Sequence, residues 1–415
     1  MTNPVYVLGG AQTDFARNWS KERLGLVDMF AETVPAALAD ARVDDHEVDV
    51  VHVSNLAGEL FAGQAQLGGM VVAAVPGLDG RPSTRHEAAC ASGSTAVLAA
   101  CADIESGRYD LALVVGAELM RNVSAQTAAE YLGTAAWAGR EALNVKYPWP
   151  ALFAEIAREY ERRYGLDHAH LGRFAEIAFG NGSRNGLAQT RDWDFPAGSF
   201  DENDEVNPVV EGTLRKTDCG RITDGAAAVV LAGPEFAQAW ARRTGADLDR
   251  EATIAGFGHR TATLLLADKL TQSAEQDHLF PHLRGAVEDA YRRAGISGVV
   301  DLDVAEIHDC FTINGLVTLE HIGLADPGKG GEAVMDGSIE LGGRLPVNPS
   351  GGLMSHGHPV GATGVRMVLD ATRQVTGRAG DHQVDNARRA LTVNIGGSFT
   401  TAVSTVVTRG TRTTA

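Results

Sequence analysis

No stretch of this 415-residue chain approaches the roughly 20 uninterrupted apolar residues of a membrane-spanning helix. Its start, Met1-Thr-Asn-Pro-Val-Tyr-Val-Leu-Gly-Gly, lacks the basic segment followed by an apolar one that marks a secretory leader. A cytoplasmic protein without membrane insertion is the expectation. Cysteine is scarce: Cys90, Cys101, Cys219 and Cys310 are the four present. Their unpaired spacing argues against a disulfide framework or a zinc site, and for free thiols in a reducing compartment. Positive charge is short as well. Against 53 Asp and Glu stand 36 Lys and Arg, a formal net charge of −17, and the field of such a chain repels nucleic acids and anionic membranes. An anionic ligand would need a local basic patch. What is there is ordinary globular composition, 44% hydrophobic and 21% charged, with length for two or three domains.

Short aliphatic strands alternate with small-residue or amphipathic helices, the pattern of an α/β fold, and this pattern occurs twice. A helix over 34–41 leads to a strand over 50–53; a helix over 287–294 leads to a strand over 304–307. Cys90-Ala-Ser-Gly-Ser-Thr-Ala-Val superimposes on His358-Pro-Val-Gly-Ala-Thr-Gly-Val with glycine, threonine and valine in step, so Cys90 corresponds to His358. Each of these segments enters a helix that ends near Gly107 or Gly377. Each helix then leads to a strand, over 111–115 or 390–394, and final strands over 226–231 and 400–407 complete the parallel. Several such pairs in the same order indicate a duplicated domain. Between the halves, 120–222 has another texture, with Tyr147-Pro-Trp-Pro, a charged amphipathic helix over 153–164 and the turn-rich Asn181-Gly-Ser-Arg-Asn-Gly. A long excursion of this kind reads as an insertion covering the site.

A lone cysteine is usually a small buried hydrophobe, but 88–94 is all small residues and Cys90 stands where a helix begins. There the helix dipole favours a thiolate. Cys101, on the same helix, reads as packing. Gly351-Gly-Leu-Met-Ser-His-Gly-His-Pro-Val-Gly has more glycine than packing needs and reads as a tight loop carrying an imidazole that can take the thiol proton. His356 and His358 could be metal ligands, yet no Cys, His or acidic cluster in the sequence completes a set, so no metal is expected. His308-Asp309-Cys310-Phe311 follows an aliphatic strand, where α/β folds place ligands. Asn394-Ile-Gly-Gly offers bare backbone N–H groups to a developing oxyanion.

Cys90-Ala-Ser, His308-Asp-Cys-Phe, Gly357-His-Pro and Asn394-Ile-Gly-Gly, in this order, resemble the four fingerprints of the thiolase superfamily over nearly the whole chain. The His-Asp-Cys-Phe form is similar to the sterol-carrier-protein-type branch and its bacterial and archaeal relatives. The resemblance implies a thiolase-like fold of two duplicated five-stranded α/β halves packed face to face. The domain division is then 1–119 as the first core half, 120–222 as a loop domain over the site, 223–265 returning to the first half, and 266–415 as the second half. It also implies a homodimer or homotetramer.

By resemblance, Cys90 is the nucleophile that takes an acyl group from a coenzyme A thioester, with His358 accepting its proton. Most thiolases carry a second reactive cysteine at the position of Asn394; in this branch the cysteine of His-Asp-Cys-Phe supplies that sulfur, which makes Cys310 the acid/base at the α-carbon. His308 and His358 are expected to hold the enolate oxygen, and the N–H groups of Cys90 and Gly396 the tetrahedral oxyanion. Coenzyme A thioesters enter as substrates, with no permanently bound cofactor, and Arg215 and Lys216 are the expected partners of the carrier's phosphates. A ketoacyl synthase, or a thiolase-like subunit working with a small OB-fold partner in retro-aldol cleavage or C-acylation, is the alternative.

Overall fold

A computed structural model describes residues 4–410. Among these residues no helix is long and apolar enough to cross a membrane. Aliphatic runs become strands where helices cover both faces. β1 (Val5–Gln12), β2 (Val50–Ser54), β3 (Ser83–His86) and β4 (Leu111–Glu118) come first, and a small ribbon pairs β5 (Val209–Glu211) with β6 (Leu214–Arg215). Then follow β7 (Gly225–Ala232), β8 (Ala252–Thr261), β9 (Val304–Ile307), β10 (Arg389–Gly396) and β11 (Thr401–Arg409). β4 and β7 are buried at every position, which is why their sequences show no polar alternation.

Nine strands form one mixed sheet in the order β3-β2-β4-β7-β1-β8-β11-β10-β9. Read outward from the β1–β8 junction, both halves have the same order, so the expected duplication appears in the topology. The second half differs in one respect. Its fifth strand shrinks to a parallel bridge between Ala305 and Val347, because Pro346 has no N–H to extend the ladder and Asn348 turns away at φ +50°. The segment 223–265 does not return wholly to the first half. β7 completes that half, but β8 pairs with β11 along nine positions and with β1 along only three, so β8 opens the second half.

Helix α1 (Leu26–Ala41) covers the outer face of the first half, with Met29, Phe30 and Val34 against Leu8, Val51 and Leu113. α2 (Ser92–Glu105) lies in the middle layer. α3 (Pro148–Tyr164) and α4 (His168–Gly182) belong to the excursion. α5 (Pro281–Ala294) covers the second half's outer face, α6 (Thr312–His321) follows β9, and α7 (Val360–Thr376) lies beside α2. α2 and α7 are the duplicated segments, and they touch through glycine. A Cβ on Gly364 would come within 2.2 Å of the Ser94 nitrogen, and one on Gly93 within 2.7 Å of the Val365 nitrogen.

The excursion packs on the second half. Phe153 stacks on Phe311 with ring centroids 4.4 Å apart, the Tyr160 hydroxyl donates to Glu320 at 2.5 Å, and the Phe174 ring fills the space that a side chain at Gly315 would occupy. α3 begins earlier than the expected 153, at Pro148, since proline suits the first helical turn where its missing N–H costs nothing.

Candidate active site

Each chemical segment lies at a strand end or just before a helix. Cys90 stands two residues before α2, as His358 stands two before α7. Ala89 takes φ +50° to turn the chain. The Ser92 hydroxyl closes that turn, accepting from the Ala88 N–H at 2.9 Å and donating to the Ala89 carbonyl at 2.6 Å. The glycine-rich loop before His358 is anchored by Asp309, whose Oδ1 accepts from the Leu353 N–H at 2.6 Å. The His358 N–H donates to Thr223 Oγ1 at 2.9 Å.

The Cys90 sulfur and a ring nitrogen from each of His308 and His358 lie within 4.8 Å of one another. The two rings meet edge to face at 87°, with centroids 5.2 Å apart. Their hydrogen bonds assign opposite tautomers. Thr363 Oγ1 lies 2.9 Å from the Pro359 carbonyl and 2.7 Å from His358 Nδ1. A carbonyl can only accept, so the hydroxyl donates to it and Nδ1–H donates to the hydroxyl. His358 Nε2 keeps a free lone pair. His308 Nδ1 instead accepts from the Asn394 side-chain amide at 3.0 Å and from the Ile395 N–H at 3.3 Å, which puts its proton on Nε2. Ser94 donates to Asn394 Oδ1 at 2.9 Å and so fixes which end of the amide faces His308. Neutral His308 is therefore a donor and neutral His358 an acceptor, which matches the proton-accepting role that the resemblance implies for His358 but not its second role as a donor to the enolate oxygen.

Replacing Thr363 by Val removes the acceptor that holds His358 in its tautomer. Acylation of Cys90, followed by rapid-quench mass analysis, is expected to slow by roughly 10- to 100-fold while substrate affinity changes little, because a wrongly protonated imidazole cannot take the thiol proton. An unchanged acylation rate would remove the tautomer argument.

The expected thiolate is not what the structure gives. Burial is the largest influence on Cys90 and pushes its thiol up to about 12, against the opposing pull of the nearby Gly397 N–H. Burial also pushes His358 down to about 3, aided by the Arg366 charge, and holds His308 well below its ordinary value. The resting pair is a neutral thiol beside a neutral imidazole, because loss of solvent outweighs the helix dipole. Alkylation of Cys90 by iodoacetamide should accordingly rise about tenfold per pH unit from pH 7 to 10 with no plateau. A preformed thiolate–imidazolium pair would give a flat profile.

Cys310 faces the same cavity. Burial, then the nearby Cys90 sulfur, raises its thiol well above the ordinary value, and the Asn314 amide approaches it at 3.7 Å. The backbone N–H groups of Gly397 and of Cys90 itself act on the Cys90 sulfur, while Gly396, expected to hold the oxyanion rather than the sulfur, lies one residue earlier. Gly396 ends β10 opposite Thr401, with the Ala88 carbonyl 2.2 Å from where its Cβ would stand. The turn after Gly397 is pinned by Lys269, whose Nζ donates to Thr400 Oγ1 at 2.9 Å, Ser398 Oγ at 3.2 Å and the Leu264 carbonyl at 2.8 Å. Sequence reasoning missed Lys269, which shares no motif with the turn it holds.

The cavity in front of these groups has a volume of about 280 Å³ and is otherwise mostly apolar, with Met120, Trp149, Phe153 and Phe311 among its walls. Arg215 does not line it. Its guanidinium binds Asp204 at 2.6 Å and the Asn207 carbonyl at 3.0 Å, so its charge is used within the loop domain. Lys216 is exposed and also lies outside the cavity lining. The cation in the wall is Arg221, which no sequence signal distinguished from its basic neighbours. Cys90, His308 and His358 form the one group of possible metal ligands among the described residues, where the sequence suggested no such cluster. It has fewer donors than a closed structural zinc site. His356 is not part of it, since its two nitrogens meet Gln12 at 2.7 Å and Asn185 at 3.3 Å.

Family comparisons match residues 5–189 to "Thiolase, N-terminal domain" and residues 266–409 to "Thiolase C-terminal domain-like". The chain is 33% identical over 408 residues to an acetyl-CoA acetyltransferase of Methanothermobacter thermautotrophicus, covering 98% of this chain and 99% of that one. It is 29% identical to human sterol carrier protein 2, covering 94% of this chain and 70% of that protein. Among solved structures, an Ltp2-ChsH2(DUF35) aldolase superimposes with TM-score 0.77 at 21% identity, covering 99% of each chain. Human mitochondrial 3-ketoacyl-CoA thiolase superimposes with TM-score 0.71 at 15% identity, covering 99% of this chain and 100% of that one.

Proposed function

This chain belongs to the thiolase family, and from that membership we propose that it is an acyl-CoA C-acyltransferase that forms or cleaves 3-ketoacyl-CoA. The observation that carries the reading is the meeting of a nucleophilic thiol, an imidazole lone pair and a second thiol at one apolar cavity, with the buried His308 beside Cys90 and His358. Coenzyme A thioesters are the substrates in this reading, no cofactor is held permanently, and the working form is a homodimer or homotetramer.

The Cys90 sulfur attacks the thioester carbonyl as its proton passes to His358 Nε2. The oxygen takes up negative charge beside the N–H groups of Cys90 and Gly396. Collapse expels the carrier thiolate, which takes the proton back from His358 and leaves acyl-Cys90. In condensation, Cys310 passes its proton to His358 Nε2 and the resulting thiolate removes an α-proton from a second thioester; His308 Nε2–H donates to the enolate oxygen, the enolate carbon attacks acyl-Cys90, and the Cys90 sulfur that leaves takes the proton held by His358. Cleavage runs these steps in reverse, with the Cys310 thiol protonating the departing enolate. The buried, proton-holding state of Cys310 favours that acid role at rest. An aligned donor of this kind accounts for roughly 10²- to 10³-fold in rate.

The decisive experiment is intact-mass measurement after exposure to acetyl-CoA, followed by mapping of the modified peptide. An acetyl group on the Cys90 peptide supports the reading. No adduct with acetyl-CoA, acetoacetyl-CoA or a short acyl panel would remove it. The aldolase neighbour motivates a second reading, retro-aldol cleavage with a partner protein. That reaction needs proton transfer but no acylated cysteine, so the same measurement separates the two.

A further inference from the structure

We propose that Arg221 makes this cavity selective for acyl thioesters whose acyl chain ends in a carboxylate. The inference rests on the acyl-transfer reading above and names its substrate class. Arg221 is the one formally charged residue among those lining the cavity. Its Nη2 donates to the Lys216 carbonyl at 3.2 Å, and Trp193 flanks the guanidinium at 5.7 Å. Its Nε is buried with no hydrogen-bond partner. Among the described residues no Asp or Glu pairs with it. Burial disfavours its charge.

A half-buried guanidinium with a buried, unpartnered Nε and no counter-ion is open to a ligand that brings the opposite charge. The other arginines with short acidic contacts, such as Arg215 on Asp204 and Arg191 on Asp14, show that this acidic chain does not lack carboxylates to offer. Arg221 is left without one in the cavity wall.

The place of Arg221 in the chain favours the acyl group over the carrier's phosphates as the anion. On one side, Gly220 N–H donates to the Cys310 carbonyl at 2.8 Å. On the other, Ile222 forms a parallel bridge with His358. Residue 221 is thus tied to the two segments that flank the reacting thioester, whereas the phosphates stand a whole pantetheine arm away. The remaining wall is hydrocarbon and aromatic, suited to the methylene chain between the thioester and a terminal carboxylate.

The test measures the rate of Cys90 acylation by glutaryl and hexanoyl thioesters, each carried on coenzyme A and on pantetheine, for the full-length protein and for Arg221→Met and Arg221→Lys. The expected result is a glutaryl-to-hexanoyl rate ratio that falls about 10- to 100-fold in Arg221→Met on both carriers, the loss of a charge-assisted contact, with Arg221→Lys intermediate. A loss confined to the coenzyme A substrates, equal for both acyl groups, would assign Arg221 to the phosphates and overturn the proposal. An unchanged ratio, whether or not both rates drop, would overturn it by showing a structural role or none. If the unaltered protein is acylated by no thioester at all, it is the acyl-transfer reading that fails.

Discussion

Cys90→Ala is expected to leave no acetyl group on the protein after exposure to acetyl-CoA and to lower turnover by about 10⁴-fold or more, the scale on which removal of a nucleophile acts. Cys310 and Cys219 share the cavity wall, but burial holds both as neutral thiols. Cys219 donates its S–H to the Arg215 carbonyl at 3.3 Å, Cys101 is packed in α2, and burial raises both thiols. The fold should persist, because alanine keeps the Cβ and the turn is held by Ser92 and by backbone contacts. Circular dichroism and thermal melting check this. Acetylation surviving at Cys310 or Cys219 at a comparable rate would show that the nucleophile lies elsewhere.

Cys310→Ala divides the reaction in two. Acylation of Cys90 should continue, since Cys90, His358 and the Gly396 N–H are untouched. Condensation, and exchange of acetyl-CoA methyl protons with deuterated solvent, should fall by at least about 10³-fold, because His358 is committed to the Cys90 proton and Cys310 is the group assigned to the α-carbon. Asn394 cannot take the part. A neutral amide does not exchange a proton at ordinary pH, and this one is committed to His308 and Ser94. Asn394→Ala should therefore weaken exchange through a misplaced His308 rather than eliminate it. If exchange survives in the Cys310 variant and is lost in the Asn394 variant, the two assignments are reversed. The Cys310 change removes only a sulfur, while its carbonyl continues to accept from Gly220.

The duplication was legible because it is written in local pattern. Cys90 and His358 open equivalent helices, and glycine at 93 and 361 keeps the two segments in step. The strands were legible for the same reason, down to β9 at 304–307. The membership of β8 was not, since a strand does not carry in its own residues which of two similar edges it will pair with more extensively. Nor was the protonation state of Cys90. The dipole at a helix start can be inferred from sequence, but the burial that overrides it comes from remote chain. The cations divide along the same line. Arg215, Lys216 and Arg221 look alike in sequence, and only tertiary structure gives Arg215 an acidic partner, leaves Lys216 in solvent and puts Arg221 in the cavity wall. His308 and His358 were found as a pair, but their opposite tautomers depend on Thr363 and Asn394, which the motifs placed near them without fixing any hydrogen bond.

The close approach of α2 and α7 through Gly93 and Gly364 has a consequence for a chain still being synthesised. The nucleophile leaves the ribosome with more than half of the protein yet to follow, and the imidazole that activates it arrives only with the second copy. Until α7 settles against α2, Cys90 has no base beside it and no Gly397 N–H against its sulfur. An unfinished chain is then an inert one: it can meet cellular thioesters without becoming trapped as a half-built acyl adduct.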